Sequence, residues 1–169
     1  MTCPSCGHEN IEGTDRCDNC MTSLLRLAGQ PETVVGLARW VMEDKLGQLD
    51  QEATVLVQLD TPAIDVVRKM RELRAGCALV LDGSQLAGIF TEHDVLSKLT
   101  GAGARPVTTS VRELMSAHPE TLSDTDSVAE ALNKMSMGRY RHIPISREDG
   151  SYSVTSIKNV LQYIAREQW

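Results

Sequence analysis

The sequence predicts an α+β protein in which a small four-cysteine knuckle precedes two consecutive β-α-β-β-α units. Three observations lead there. Four of the five cysteines fall within the first twenty residues as two CxxC pairs, the chain from about residue 54 onward is self-similar at an offset of 65 residues, and the apolar content is almost wholly aliphatic. Hydrophobic residues make up 41% of 169, but only one Phe, two Trp and three Tyr are among them, so Val, Leu, Ile, Ala and seven Met must build the core. The organisation read from these features is a knuckle over 1–27, a helical linker with the first unit over 28–104, and the second unit over 105–169.

The formal charge of −6 offers no general attraction to phosphate backbones or anionic lipid, so neither nucleic acid nor a membrane surface is an expected partner. No window approaches the roughly 20 apolar residues of a membrane span. The start, MTCPSCGHEN, lacks the charged-then-apolar layout of a secretory signal, and the expectation is a cytoplasmic protein with reduced thiols.

Cys3 and Cys6 (CPSC) and Cys17 and Cys20 (CDNC) each bend the chain so that two sulfurs face one centre. Two such bends supply the four thiolates of a closed tetrahedral metal site. Pro4 and Gly7 suit the first bend, and Met21 stands where a second glycine would be expected. The spacing resembles the short zinc-ribbon family over residues 1–24. Zn2+ is the expected ion and iron in a rubredoxin-like site the alternative, since soft tetrahedral sulfur ligation suits both. His8 is read as a solvated loop residue, because four cysteines complete the shell. So few apolar side chains surround this site that metal binding has to organise it.

A helix is predicted over 32–49, with apolar residues at Val34, Val35, Leu37, Ala38, Val41 and Met42. The repeat then begins. Met70 corresponds to Met135, Val80 to Ile145, Ile89 to Val154, Thr91 to Ser156, and Val95-Leu96 to Val160-Leu161, with no gap. A strand (TVLVQL; ETLS) leads to a helix capped by Thr61 with Pro62 in its first turn, or by Asp126. Its core face is Ile64, Val67 and Met70 in one copy and Val128, Ala131, Leu132 and Met135 in the other. A second strand (CALVL; HIPIS), a turn, a third strand (LAGIF; YSVTS) and a closing helix (HDVLSKL; IKNVLQYIA) complete each unit.

LAGIFTEHDVL, RYRHIPI, SVTSIKNVL and the segments DTPAIDVVRKM and TDSVAEALNKM carry a resemblance to a pair of cystathionine β-synthase (CBS) domains, a Bateman module, over residues 34–169. The resemblance implies two units packed about a pseudo-twofold axis, pairing of two chains into a homodimer, and pockets for AMP, ADP, ATP or related adenosyl ligands. It also implies that an unidentified partner protein reads ligand occupancy. Family members hold the ligand with glycine, apolar, any, Ser or Thr, any, any, Asp.

The first unit fulfils every position through Gly88, Thr91 and Asp94. Gly88 would let a ligand approach the backbone, Thr91 lies beside helix N-terminal amides that favour phosphate, and Asp94 can accept from a ribose diol. In the second unit these become Ser153, Ser156 and Asn159, a weaker grip because Asn accepts through one uncharged oxygen. The base-edging segment fits the family in the second unit, through Arg141, His142, Ile143 and Pro144 with Thr121 near it. The matching first-unit segment is Gly76, Cys77 and Ala78, with Leu79 replacing the proline and Leu56 in the threonine's place. Each pocket read along the repeat thus misses something, and the first-unit pocket is favoured.

Against these readings stand plainer ones. Thr91 and Asp94 also suit an ordinary helix cap, Cys77 a small core residue, His142 an interior histidine, and Arg112, Arg139 and Arg141 solvated surface charge. With no nucleophile beside an identifiable base and no GxxxxGK loop, a non-catalytic regulatory module is expected rather than an enzyme. Electron transfer through iron and a structural dimer with degenerate pockets are the alternatives.

Overall fold

The computed structural model describes residues 2–3, 6–11, 14, 16–21, 24, 41–49, 53–100 and 107–167. Most of the predicted linker helix, with Val34, Val35, Leu37, Ala38 and Trp40, lies outside them, as does Trp169. The chain divides into two compact units, Met1–Trp40 and Val41–Trp169, each taken by itself.

In the larger unit, β1 (Val55–Gln58) leads to α1 (Ala63–Leu73), then β2 (Cys77–Asp82) and β3 (Gln85–Thr91). A single α turn, α2 (Glu92–Asp94), continues as a π turn over Val95–Leu99. A two-residue strand, β4 (Ser116–Ala117), was not apparent in the sequence. The second copy runs β5 (Leu122–Ser123), α3 (Val128–Gly138), β6 (His142–Ser146), β7 (Tyr152–Ser156) and α4 (Ile157–Glu167). One sheet has the order β1-β2-β3-β4 and the other β5-β6-β7. In each, the first pairing is parallel across the helix and the next antiparallel across the turn, with Val57 opposite Val80 and Pro144 opposite Val154.

Strand alternation divides the core. Ala78 and Val80 face Val57, Val66, Met70, Phe90 and Val111 in the first copy, while Cys77 and Leu79 point the other way, against Ile89 and Val154. That second cluster takes side chains from β2, β3 and β7 and so joins the two sheets. The second copy has its own core of Leu46, Leu122, Val128, Ala131, Met135, Ile143, Ile145 and Val160. Strands buried on both faces explain why CALVL reads as an unbroken apolar run and why Ile143, Pro144 and Ile145 are buried in succession.

Several local expectations shift. The residues after Val41–Glu43 leave the helix, and Leu46–Gln48 form a 3-10 turn. Pro62 occupies the cap position of α1 with no side-chain cap, and the buried face of α1 is Ala63, Val66 and Met70, with Ile64 and Val67 half-buried. Ser127, not Asp126, caps α3, its hydroxyl accepting from the Glu130 N–H at 3.2 Å. The Asp126 carboxylate accepts from the Ser123 N–H at 2.7 Å and holds the preceding turn.

The entry segments of the two copies are exchanged. Leu46 N–H donates to Asp126 O at 2.9 Å, and Val128 N–H to Asp44 O at 3.0 Å. Sixty-five residues on, Val111 N–H donates to Thr61 O and Ala63 N–H to Thr109 O, both at 2.9 Å. The segment leading into each copy therefore satisfies the orphan N-terminal amides of the other copy's helix.

Candidate functional site

In the smaller unit the four sulfurs of Cys3, Cys6, Cys17 and Cys20 all lie within 4.8 Å of one another. Cys3 Sγ is 3.6 Å from Cys20 Sγ and Cys6 Sγ is 3.6 Å from Cys17 Sγ. None of the four is in a disulfide. Bonds of about 2.3 Å to a tetrahedral ion would set sulfurs ~3.8 Å apart, so this donor set fits zinc or iron. Gly7 N–H donates to Cys3 O and Met21 N–H to Cys17 O, each at 2.9 Å, so the two bends repeat one geometry. Burial pushes the Cys17 thiol up, but the N–H groups of Cys20 and Asn19 outweigh it and bring it down to about 6. At Cys6 the His8 N–H lowers the thiol, and protons shared with Cys20 and Cys17, with burial, raise it to about 11.

Asn10, which the spacing did not single out, is buried and ties the bends together. Its Nδ2 donates to His8 O and its Oδ1 accepts from the Asp18 N–H, both at 2.9 Å.

Gly7 has φ +72° and Met21 φ +60°. Met21 thus adopts the left-handed conformation that a glycine would take without steric cost, at about 1 kcal/mol for a residue with a Cβ. Met21→Gly is expected to raise the melting temperature of the metal-loaded ribbon, read by amide exchange of the Met21 N–H. No change or a fall would contradict this.

The larger unit holds a cleft of about 740 Å³. One wall comes from the first copy, through Ile89, Thr91, Glu92, His93, Asp94 and Leu96, with Ser116 beside it. The other comes from the second copy, through Pro119, Glu120, Gly138, Arg139, Tyr140, Arg141, His142 and Pro144. The cleft therefore does not follow the repeat. It joins the Thr91–Asp94 half of one copy to the Arg141–Pro144 half of the other, and each supplies what the other lacks. Gly76 explains part of the crossing: a Cβ there would sit 2.5 Å from His142 Nε2, so the bare backbone admits the imidazole.

Gly76, Cys77, Ala78, Gly88, Thr121, Ile143, Ser156 and Asn159 do not line this cleft. Cys77, Ala78 and Ile143 are core residues. Gly88 is buried where a Cβ would lie 2.2 Å from Met115 Sδ and 3.0 Å from Ser116 O, so its smallness admits the connector between the copies and not a ligand. Thr121 Oγ1 donates at 3.2 Å to the carbonyl of Pro119, which lines the cleft.

Asp94 is 5% exposed. Its Oδ2 accepts from Thr91 N–H at 2.9 Å and Thr91 Oγ1 at 2.8 Å, and its Oδ1 from Lys98 Nζ at 2.7 Å. Burial pushes the carboxyl up, but the hydrogen bonds from Lys98 and Thr91 outweigh it and hold the group below its ordinary range. The second copy repeats the cap without the charge: Asn159 Oδ1 accepts from Ser156 N–H at 2.9 Å and Ser156 Oγ at 2.6 Å. The cap reading of these pairs therefore describes both copies, and only the first brings its acceptor to the cleft.

Across the cleft, Glu120 is held by Lys134 and accepts from Tyr140 Oη at 2.6 Å. These two hydrogen bonds lower the Glu120 carboxyl, while burial and Glu120 push the Tyr140 hydroxyl up to about 12. A Cβ on Gly138 would fall 2.0 Å from Tyr140 Cε1, so this glycine lets the ring lie where it meets Glu120. Among the described residues neither Arg139 nor Arg141 makes an ion pair, whereas Arg112 pairs with Asp60 at 3.3 Å. The cleft keeps two cations available and pairs Asp94 and Glu120 with lysines, while Glu92 also lines it.

No helix among the described residues is long and apolar enough to cross a membrane. A CBS domain-containing protein of Arabidopsis thaliana is 30% identical over 102 residues, 60% of this chain, and the chain spans 18% of that relative's length. A mitochondrial CBS domain-containing protein of the same plant is 31% identical over 113 residues, covering 64% of this chain and 55% of that one. Among solved structures, a CBS-domain protein of Agrobacterium tumefaciens is 25% identical with a TM-score of 0.59, covering 66% of this chain and 90% of its own. A CBS domain protein of Pyrobaculum aerophilum complexed with AMP is 20% identical with a TM-score of 0.63, covering 74% and 98%. Residues 47–101 and 111–166 each match the CBS domain, more than half of the sequence between them, and the chain belongs to the CBS domain family.

Proposed function

We propose that this chain is a non-catalytic regulatory module that binds an adenine nucleotide in the cleft and passes its occupancy to a partner protein. The observation that carries the reading is the crossed cleft, in which Thr91 and Asp94 face Arg139, Arg141, His142 and Pro144. Asp94 supplies an acceptor for ribose hydroxyls, the two arginines supply donors for phosphate, and the segment through His142 and Pro144 borders the base. The AMP held by the Pyrobaculum protein supports the ligand class. With Asn159 and Leu79 in the other combination, a single nucleotide per chain is expected.

Zinc in the four-cysteine site gives the ribbon its fold and makes it a docking element for the partner. Cysteines at this spacing outside any disulfide fit a reducing cytoplasm. Leu96 and Leu161, equivalent in the two copies and both exposed, suit pairing of two chains into a homodimer.

Calorimetric titration with AMP, ADP, ATP and S-adenosylmethionine tests the ligand. At least one is expected to bind, with Arg141→Ala weakening it about tenfold or more through loss of a charge-assisted contact. Because Arg141 is exposed and unpaired among the described residues, its melting temperature should not move. Four flat titrations would end the nucleotide reading.

A further inference from the structure

Lys98 stands between the cleft and the connector that joins the two copies. Its Nζ donates to Asp94 Oδ1 at 2.7 Å and to the backbone carbonyl of Leu114 at 2.5 Å. Lys98 itself does not line the cleft and its side chain is 39% exposed, whereas Asp94 is buried and lines it. The residues after Leu114 are the ones that meet the first copy: Met115 packs on Gly88, and Ser116 both pairs with Ile89 and lines the cleft.

The Asp94 carboxylate has little left to give. Both donors of Thr91 are on Oδ2, and that oxygen cannot leave them without opening the start of α2. A ligand that presents two neighbouring hydroxyls needs an acceptor position on each oxygen, or both on one, and the charged Lys98 bond is the contact on Oδ1 that can yield. The second copy shows what the tie looks like without a ligand group in it. Tyr163, the counterpart of Lys98, donates to Asp44 Oδ2 at 2.6 Å and ties α4 to the other entry segment. Asn159 there keeps its cap with Ser156, and it does not line the cleft. Both copies thus tie their closing helix to an entry segment, and the described tie passes through a cleft-lining carboxylate in the first.

Building on the nucleotide reading, we infer that Lys98 couples cleft occupancy to the connector: ribose hydroxyls displace it from Asp94, and its hold on Leu114 is lost with it. The connector is then loosened at β4, the two-residue strand that pairs it with β3. Occupancy reaches the surface through one side chain, with no movement of the sheets.

The test is amide hydrogen exchange on the full zinc-loaded chain, with and without AMP, alongside calorimetry. In the wild type, AMP should slow exchange over 138–144 and speed it over 111–117 by roughly fivefold. Lys98→Met should show the fast connector without AMP, no further change with it, and about threefold or more tighter binding, because no cation competes for Asp94. The 2′,3′-dideoxy analogue of AMP should protect 138–144 and leave 111–117 unchanged. AMP binding with protection at 138–144 but an unchanged connector overturns the coupling alone, as does weaker binding by Lys98→Met. No heat and no protection anywhere with AMP, ADP, ATP or S-adenosylmethionine overturns the nucleotide reading, and the coupling falls with it.

Discussion

Chelation of the zinc-loaded chain is expected to unfold the N-terminal ribbon completely while residues 41–169 stay folded. Among the described residues of the ribbon, the buried apolar cluster consists of Cys3, Cys17 and Leu24, and two of those three belong to the four-cysteine set. Such a cluster cannot offset the entropy of ordering the segment. Metal binding worth about 10 to 16 kcal/mol in comparable peptides can. Without a cation, four sulfurs within 4.8 Å of one another repel as thiolates, and as thiols they offer one another only weak S–H hydrogen bonds. The readout is loss of exchange protection at the Gly7 and Met21 amides, which close the two bends, with the signals of the larger unit unmoved. Cys17→Ser should reproduce it. Retained protection after chelation would mean that the ribbon folds by other means. The same sample settles the metal: oxidised iron in four thiolates absorbs visible light and zinc does not, so a colourless zinc-bearing protein removes the electron-transfer reading.

The substitution Asp94→Asn is expected to cost about tenfold or more in nucleotide affinity and to lower the melting temperature modestly without unfolding the chain. The two effects separate because the second copy already carries the substituted arrangement: an Asn159 oxygen accepts from Ser156 as the Asp94 oxygen accepts from Thr91. The helix start therefore survives an amide at position 94. What is lost is the charge, and with it a bond worth about 1.5 to 3 kcal/mol to an ionic or polar donor. Lys98 is exposed enough for water to take over its solvation. The pH profile provides a second check. The folded carboxyl titrates below its ordinary value of 3.8, so its contribution to stability is full above that value and disappears as the pH falls through the lower folded one. Asp94→Asn lacks that contribution, and the melting temperatures of the two proteins should converge only in this acid range. Convergence already at neutral pH, or equal nucleotide affinity, would show that the carboxylate carries neither role.

Much of the architecture was legible because a 65-residue repeat constrains strands and helices twice over. HIPIS and YSVTS identify CALVL and LAGIF as strands, and the reverse, so an ambiguous apolar run is decided by its partner. The paired cysteines were legible for a different reason, since chain bends are local. The cleft was only half legible. Thr91, Asp94, Arg141, His142 and Pro144 are visible as chemistry, but a repeat suggests that like copies keep their own parts, and the packing of two sheets brings the halves together crosswise. Gly88 misled for a related reason: a glycine records that something comes close, without recording whether it is a ligand or Met115. Lys98 and Asn10 were hidden because a lysine and an asparagine in polar surroundings look like solvated surface until their partners are placed. The cap at Ser127 lost to Asp126 in the reading because both residues are good caps and only backbone geometry separates them.

The exchange of entry segments bears on how such a chain can be divided or extended. The stretch that is duplicated is not the stretch that folds: Ala63 depends on Thr109, and Val128 depends on Asp44. A gene cut between the copies would yield two pieces, each with one helix start unsealed and a buried leucine or valine missing from its core. Duplication and folding here have different grain, and the smallest piece able to stand alone is the pair.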